Sequence, residues 1–162
     1  WATTGMGERG KPNNINTLYL EPEALEQVNM KLQQKYQVIQ EREVRWETSH
    51  TDDAELILVA YGITSRIAFS AMKMARTAGL KVGLFRPITL WPFPKEALAN
   101  AVTNASAVLT IELSTGQMVE DVNLAIKCSK PVYFQGRTGG MIMSSKDIYE
   151  KIVEIFKAER GE

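Results

Sequence analysis

One cysteine and one histidine stand in 162 residues. Cys128 by itself allows neither an internal disulfide framework nor a cysteine-rich zinc or iron-sulfur site, and it fits a reducing cytoplasm. His50 sits in the polar run TSHTDD, which reads more simply as a solvated loop than as a general base, and no second histidine exists for a triad. Charge of one sign is also lacking: 19 Lys plus Arg balance 19 Asp plus Glu without a single-sign block, so no net field favours nucleic acid or an anionic membrane. No apolar run approaches the roughly 20 residues that span a bilayer, and no charged-then-apolar leader opens the chain. The signatures G-x-x-x-x-G-K-[ST], G-x-G-x-x-G at a strand end, H-E-x-x-H and C-x-x-C are missing. The expectation is no catalytic residue and no metal ligand in this chain.

What is present is a core. Apolar residues make up 44% of the chain, enough to bury an interior without disulfides or metal, and the length suits one domain. The chain opens on Trp1 instead of methionine, which reads as a piece of a longer polypeptide. Positions 1–20 are rich in Gly, Asn and Thr and read as a linker or extended arm; 21–162 read as the domain. Leu25, Val28, Leu32, Tyr36 and Ile39 recur at three-and-four spacing as one helical stripe, with Glu21 and Glu23 placed to meet the positive end of its dipole. Val44 and Trp46, flanked by Arg45 and Glu47, alternate like a short edge strand.

From Ala54 a strand-then-helix unit occurs four times. AELILVAYG precedes ITSRIAFSAMKMARTAGL, whose first hydroxyls suit a cap and whose Ile67, Ala71, Met74 and Ala78 share a face. KVGLFRPI, SAVLTIELS and KPVYFQG each lead into a further helical pattern. Parallel strands need helical crossovers, so the fold class is three-layer α/β/α with a mostly parallel sheet. In such sheets ligands gather beyond the carboxyl ends of the strands, here YGITSR, RPITLWPFP, ELSTGQ and GRTGG. Gly62, Thr64 and Ser65 either cap a helix or hold an anion on free N–H groups. Arg137 and Gly139 belong either to a flexible turn or to a nest for phosphate or a carboxylate. Glu112 closes a buried strand and needs a positive or hydrogen-bonding neighbour.

The runs VGLFRPITLWPFP, IELSTGQMVEDV and QGRTGG, with EALEQVNMKLQQKYQVIQ and AELILVAYGITSRI before them, resemble the alpha chain of 2-oxoacid:ferredoxin oxidoreductases. The likeness covers about Gly5 to Gly140 and is nearest the 2-ketoisovalerate and 2-oxoglutarate types, in the domain similar to the transketolase C-terminal domain. It implies a sheet of about five strands with one antiparallel edge strand. For the whole complex it implies thiamine diphosphate with Mg, coenzyme A, iron-sulfur clusters and electron transfer to ferredoxin. It implies none of these cofactors on this fragment, whose partners would be the other domain of the same alpha chain and the other subunits. The function expected is therefore a cytoplasmic structural and docking domain; the alternative is a self-sufficient module holding phosphate or a nucleotide at its strand ends.

Within that frame the stiff corner RPITLWPFP gains a reading. Pro87, Pro92 and Pro94 fix backbone angles, so Trp91 and Phe93 stand either as a docking pair or folded back as a core plug. The strand order usual for such domains puts the strand ending at Tyr61 between those ending at Arg86 and Glu112. Thr64, Ser65, Glu112 and Gln117 then face one crevice, and an Arg86–Glu112 ion pair is expected across its top.

Overall fold

Alternation decides how this chain layers. In the computed structural model, which describes residues 5–12 and 17–161, odd and even positions of each inner strand face two different hydrophobic cores. The chain divides into two units, residues 1–38 and 39–162.

In the first unit, Gly7–Arg9 forms a single 3-10 turn, closed by Arg9 donating to the carbonyls of Gly5 and Met6. The arm expected over 1–20 falls partly outside the described residues. Helix α1 spans Pro22–Arg42 and runs on into the second unit; proline suits its first turn and Glu23 its dipole. The expected stripe is helical, yet no residue of α1 is buried: Leu25, Leu32 and Tyr36 are exposed, Val28 and Ile39 half-buried.

The second unit holds a five-stranded sheet in the order β1-β3-β2-β4-β5. The strands are β1 Trp46–Ser49, β2 Leu56–Ala60, β3 Val82–Pro87, β4 Ala107–Glu112 and β5 Val132–Gly136. Only β1 is antiparallel, pairing Glu47 with Arg86 and Ser49 with Leu84. This is the α/β/α architecture expected, with the edge strand where the Val44–Glu47 alternation put it.

One face of the sheet presents Leu56, Leu58, Val82, Leu84, Leu109 and Ile111 to helices α2 (Gly62–Thr77) and α5 (Ser145–Arg160). The other presents Ile57, Val59, Phe85 and Val108 to α3 (Lys95–Ala101) and α4 (Met118–Ala125). Because both faces are covered, every residue of β2 and β4 is buried, β2 as an unbroken apolar run and β4 with Thr110 and Glu112 among its apolar residues. Helix α2 is rotated from the face expected: Ala68, Ala71, Met72 and Ala75 are buried, while Met74 is exposed. The short alanines let the helix sit close to sheet and α5, and the longer methionine is left on the flank. The cap also differs. Tyr61 is the N-cap without a side-chain bond, Gly62 takes the left-handed φ of 56°, and Thr64 and Ser65 lie buried inside the first turn.

Candidate functional site

The strand-end loops form separate local structures, two of which are built around buried side chains. The first is the proline corner after β3. It is tied to the chain entering β1, since the Ile88 and Thr89 amides donate to the Arg45 carbonyl and Thr89 Oγ1 donates to the Pro92 carbonyl at 2.9 Å. Pro92, Phe93 and Pro94 are buried, and Phe93, only 9% exposed, packs with Leu98, Met118 and Val122. Of the two readings open for Phe93, docking pair or core plug, its burial supports the core plug. Trp91 is 55% exposed and shares a groove of about 620 Å³ with Trp46, Val44 and Leu90. A large apolar area is therefore displayed on a corner that hydrogen bonds and buried prolines hold in place.

The second structure surrounds Glu112. Its side chain is fully buried, and its carboxylate accepts from the amides of Gln117 (3.2 Å), Met118 (2.9 Å) and Val119 (3.0 Å) and from the Ser114 hydroxyl (3.1 Å). Ser114 Oγ in turn accepts from Gly116 N. The carboxylate fills the anion position at the start of α4, so the first-turn N–H groups that would seek a ligand are satisfied from within. Glu112 and Gln117 do meet, through the backbone of Gln117. The Arg137 amide joins this cluster from the other side by donating to the Glu112 carbonyl at 3.2 Å. A Cβ at Gly136 would collide with the Ser114 carbonyl, so the loop after β4 lies directly on the end of β5. Beyond it, Gly139 and Gly140 have φ of 65° and 79° in an exposed turn closed by Met141 N to the Thr138 carbonyl.

The expected Arg86–Glu112 pair is absent. Arg86 donates to Glu47 Oε2 at 2.8 Å, its cross-strand partner on β1. The reason is parity: Arg86 follows Leu84 on the α2 face, whereas Glu112 follows Val108 on the α4 face, and the sheet stands between them. The single crevice expected is likewise divided. Ser65 lines a groove with Arg86, and its hydroxyl donates to the Gly62 carbonyl at 2.8 Å; Glu112 and Gln117 belong to the opposite layer. Thr64 is buried.

Sequence reasoning missed Ser114, the second hydrogen-bonding partner of Glu112's loop, and Trp46, which shares the Trp91 groove. The spacing E-x-S was the available signal for the first, and the alternation Val44-x-Trp46 for the second. The donor set does not fit the iron-sulfur clusters of the resembled family, because a cluster needs several thiolates and the chain has one cysteine. Among the described residues no three His, Cys, Asp or Glu side chains group as metal ligands, and no helix is long and apolar enough to cross a membrane.

The family described as pyruvate:ferredoxin oxidoreductase core domain II matches residues 54–148. The ketoisovalerate oxidoreductase subunit VorB of Methanothermobacter marburgensis is 44% identical over 155 residues, 96% of this chain and 44% of that protein. The 2-oxoglutarate synthase subunit KorA of the same organism is 31% identical over 146 residues, 90% of this chain and 38% of that protein. The chain thus spans less than half the length of these curated relatives. Among solved structures, 2-oxoglutarate:ferredoxin oxidoreductase from Magnetococcus marinus, with 2-oxoglutarate, coenzyme A and succinyl-CoA bound, is similar with a TM-score of 0.69 at 19% identity, over 84% of this chain and 24% of that one. A split-gene transketolase, an inactive β4 tetramer, gives 0.57 at 20% identity over 68% of this chain and 40% of its own. At those identities the two structures speak for the fold alone.

Proposed function

The chain belongs to the pyruvate:ferredoxin oxidoreductase core domain II family, and from this premise we propose that residues 21–162 form a structural and docking domain of a longer 2-oxoacid:ferredoxin oxidoreductase alpha chain. The observation that carries the reading is the 44% identity to a ketoisovalerate oxidoreductase subunit across 96% of this chain. The complex oxidatively decarboxylates a 2-oxoacid to an acyl-CoA. Thiamine diphosphate with Mg, coenzyme A and iron-sulfur clusters, held by other domains and chains, supply that chemistry and pass electrons to ferredoxin in the cytoplasm.

This domain's own residues do mechanical work. Trp91 offers an apolar anchor on a stiff corner, and aromatic anchors of that kind concentrate interface energy. Glu112 fixes the ELSTGQ loop, and Arg137 and Gly139 present the adjoining turn to the partner domain. Gln117 belongs to the same loop, whereas Gly62 and the buried Thr64 and Ser65 open α2 on the other layer of the sheet. The alternative of a self-sufficient phosphate or nucleotide module is not favoured, since the N–H groups at the start of α4 are already bonded to Glu112.

The test is to assay 2-oxoacid- and coenzyme A-dependent ferredoxin reduction by the 162-residue chain alone and by the longer chain with its partner subunits. Activity is expected only in the second. Turnover by the chain alone, or saturable binding of thiamine diphosphate and Mg²⁺ to it in calorimetry, overturns the reading.

A further inference from the structure

The sheet has five strands, and the α2 face carries two helices. A helix about 10 Å across covers roughly two strands at about 4.8 Å spacing, so one strand of that face is left bare. The bare strand is β1. Between it and α2 lies a groove of about 590 Å³.

Its composition follows from the two periodicities that meet there. From the sheet come Glu47 and Ser49 of β1, with Leu84 and Arg86 opposite them on β3. From α2 come Arg66, Phe69 and Ser70, three and four residues apart and therefore on one side of the helix. The floor is apolar at Leu84 and Phe69, and the rim is basic. Lys73, one turn further along, sits over the Phe69 ring with its Nζ 4.6 Å from the centroid. Two cations of the lining, Arg66 and Arg86, thus face one carboxylate, Glu47, around the groove. Arg66 makes no ion pair among the described residues, and Arg86 spends one nitrogen on Glu47 while its buried Nε has no hydrogen-bond partner. A buried N–H that donates to nothing costs free energy unless something fills the place.

We propose that this groove binds a small organic anion, with its apolar body on Leu84 and Phe69 and its carboxylate or phosphate held by Arg66 and Arg86. Arginine suits the role because its planar fork donates to two oxygens at once and it stays charged. Apolar lining with a few convergent polar groups is the usual make-up of a small-molecule site. The inference does not depend on the docking role, which uses the Trp91 groove, lined by none of these residues.

The experiment is a titration of the isotopically labelled 162-residue chain, followed by amide NMR, with benzoate and with its neutral isostere benzamide. Benzoate should give saturable shifts at Phe69, Ser70 and Arg86, and benzamide none. Arg66→Met and Arg86→Met should each weaken benzoate at least ten-fold, whereas Glu47→Gln, which removes the competing carboxylate and frees Arg86, should tighten it. Arg66 is exposed on α2, so its variant keeps the fold even if the Arg86 variant does not; unchanged amide spectra confirm this. Inorganic phosphate, titrated in parallel, separates a ligand held by charge alone, which shifts Arg86 but not Phe69, from one that also needs the apolar floor. Absence of saturation with both anions, equal response to benzamide, or undiminished binding in Arg66→Met overturns the proposal.

Discussion

Glu112 compensates a buried carboxylate without any cation, using three amides and one hydroxyl that the chain places within seven residues. Replacement by glutamine keeps the volume, loses one acceptor oxygen and turns an NH₂ toward amide donors. The expected cost is about 2 kcal/mol, the order seen when hydrogen bonds to a charged group are lost and a buried donor is left unpaired. Arg86→Met should cost less than about 1 kcal/mol, because its partner Glu47 is largely solvated. The two losses should add within about 0.5 kcal/mol in a urea-denaturation double-mutant cycle, since the sheet separates the sites; a coupling well beyond that would put the two side chains in contact. Asp147 gives the same logic a pH dependence. Its carboxylate accepts from the Ser144 amide at 2.8 Å, and that bond, with the reciprocal one that the Asp147 amide donates to Ser144 Oγ, closes a capping box and holds the acid below its ordinary range. A carboxyl with a lowered folded value contributes stability above its unfolded value of about 3.9 and loses it as the pH falls through the lower folded one. Melting temperatures should drop over that acid interval in the native chain and drop less in Asp147→Asn.

At the scale of elements, the corner between β3 and α3 divides its two aromatics between core and surface. Phe93→Ala should destabilise residues 39–162 by about 3 kcal/mol, as large-to-small changes in a packed interior do. Trp91→Ala should change the stability by less than about 1 kcal/mol; chemical denaturation distinguishes the two. Strand and helix succession was legible because each unit pairs an apolar run with a helical period and ends in a turn residue, as Gly79 does after α2. The proline corner was legible as rigid. Which way each aromatic points was not, since prolines fix φ but do not say which side of the chain faces the sheet. The Arg86–Glu112 pairing fails for a reason the residues already contained: Leu84 and Arg86 share one parity with α2, while Val108 and Glu112 share the other with α4. Rotation of α2 onto its alanine side was not legible, because Ala68, Ala71 and Ala75 compete with larger residues in any apolar count.

For the whole molecule, family and architecture were within reach of the sequence, since RPITLWPFP and ELSTGQM carry the resemblance and four strand-helix units carry the layers. The residues that would meet a partner were less so, because exposure is decided by packing: Trp46 and Trp91 come together only when β1 joins β3 as the edge strand. The proposed role of this domain is a docking corner, with Trp91 as its anchor, within a larger oxidoreductase. The most direct measurement is native mass spectrometry of the longer chain expressed with its partner subunits, comparing wild type with Trp91→Ala. The variant chain should remain folded while the assembled complex falls at least ten-fold in abundance. A variant that assembles to the wild-type mass and yield would contradict that role.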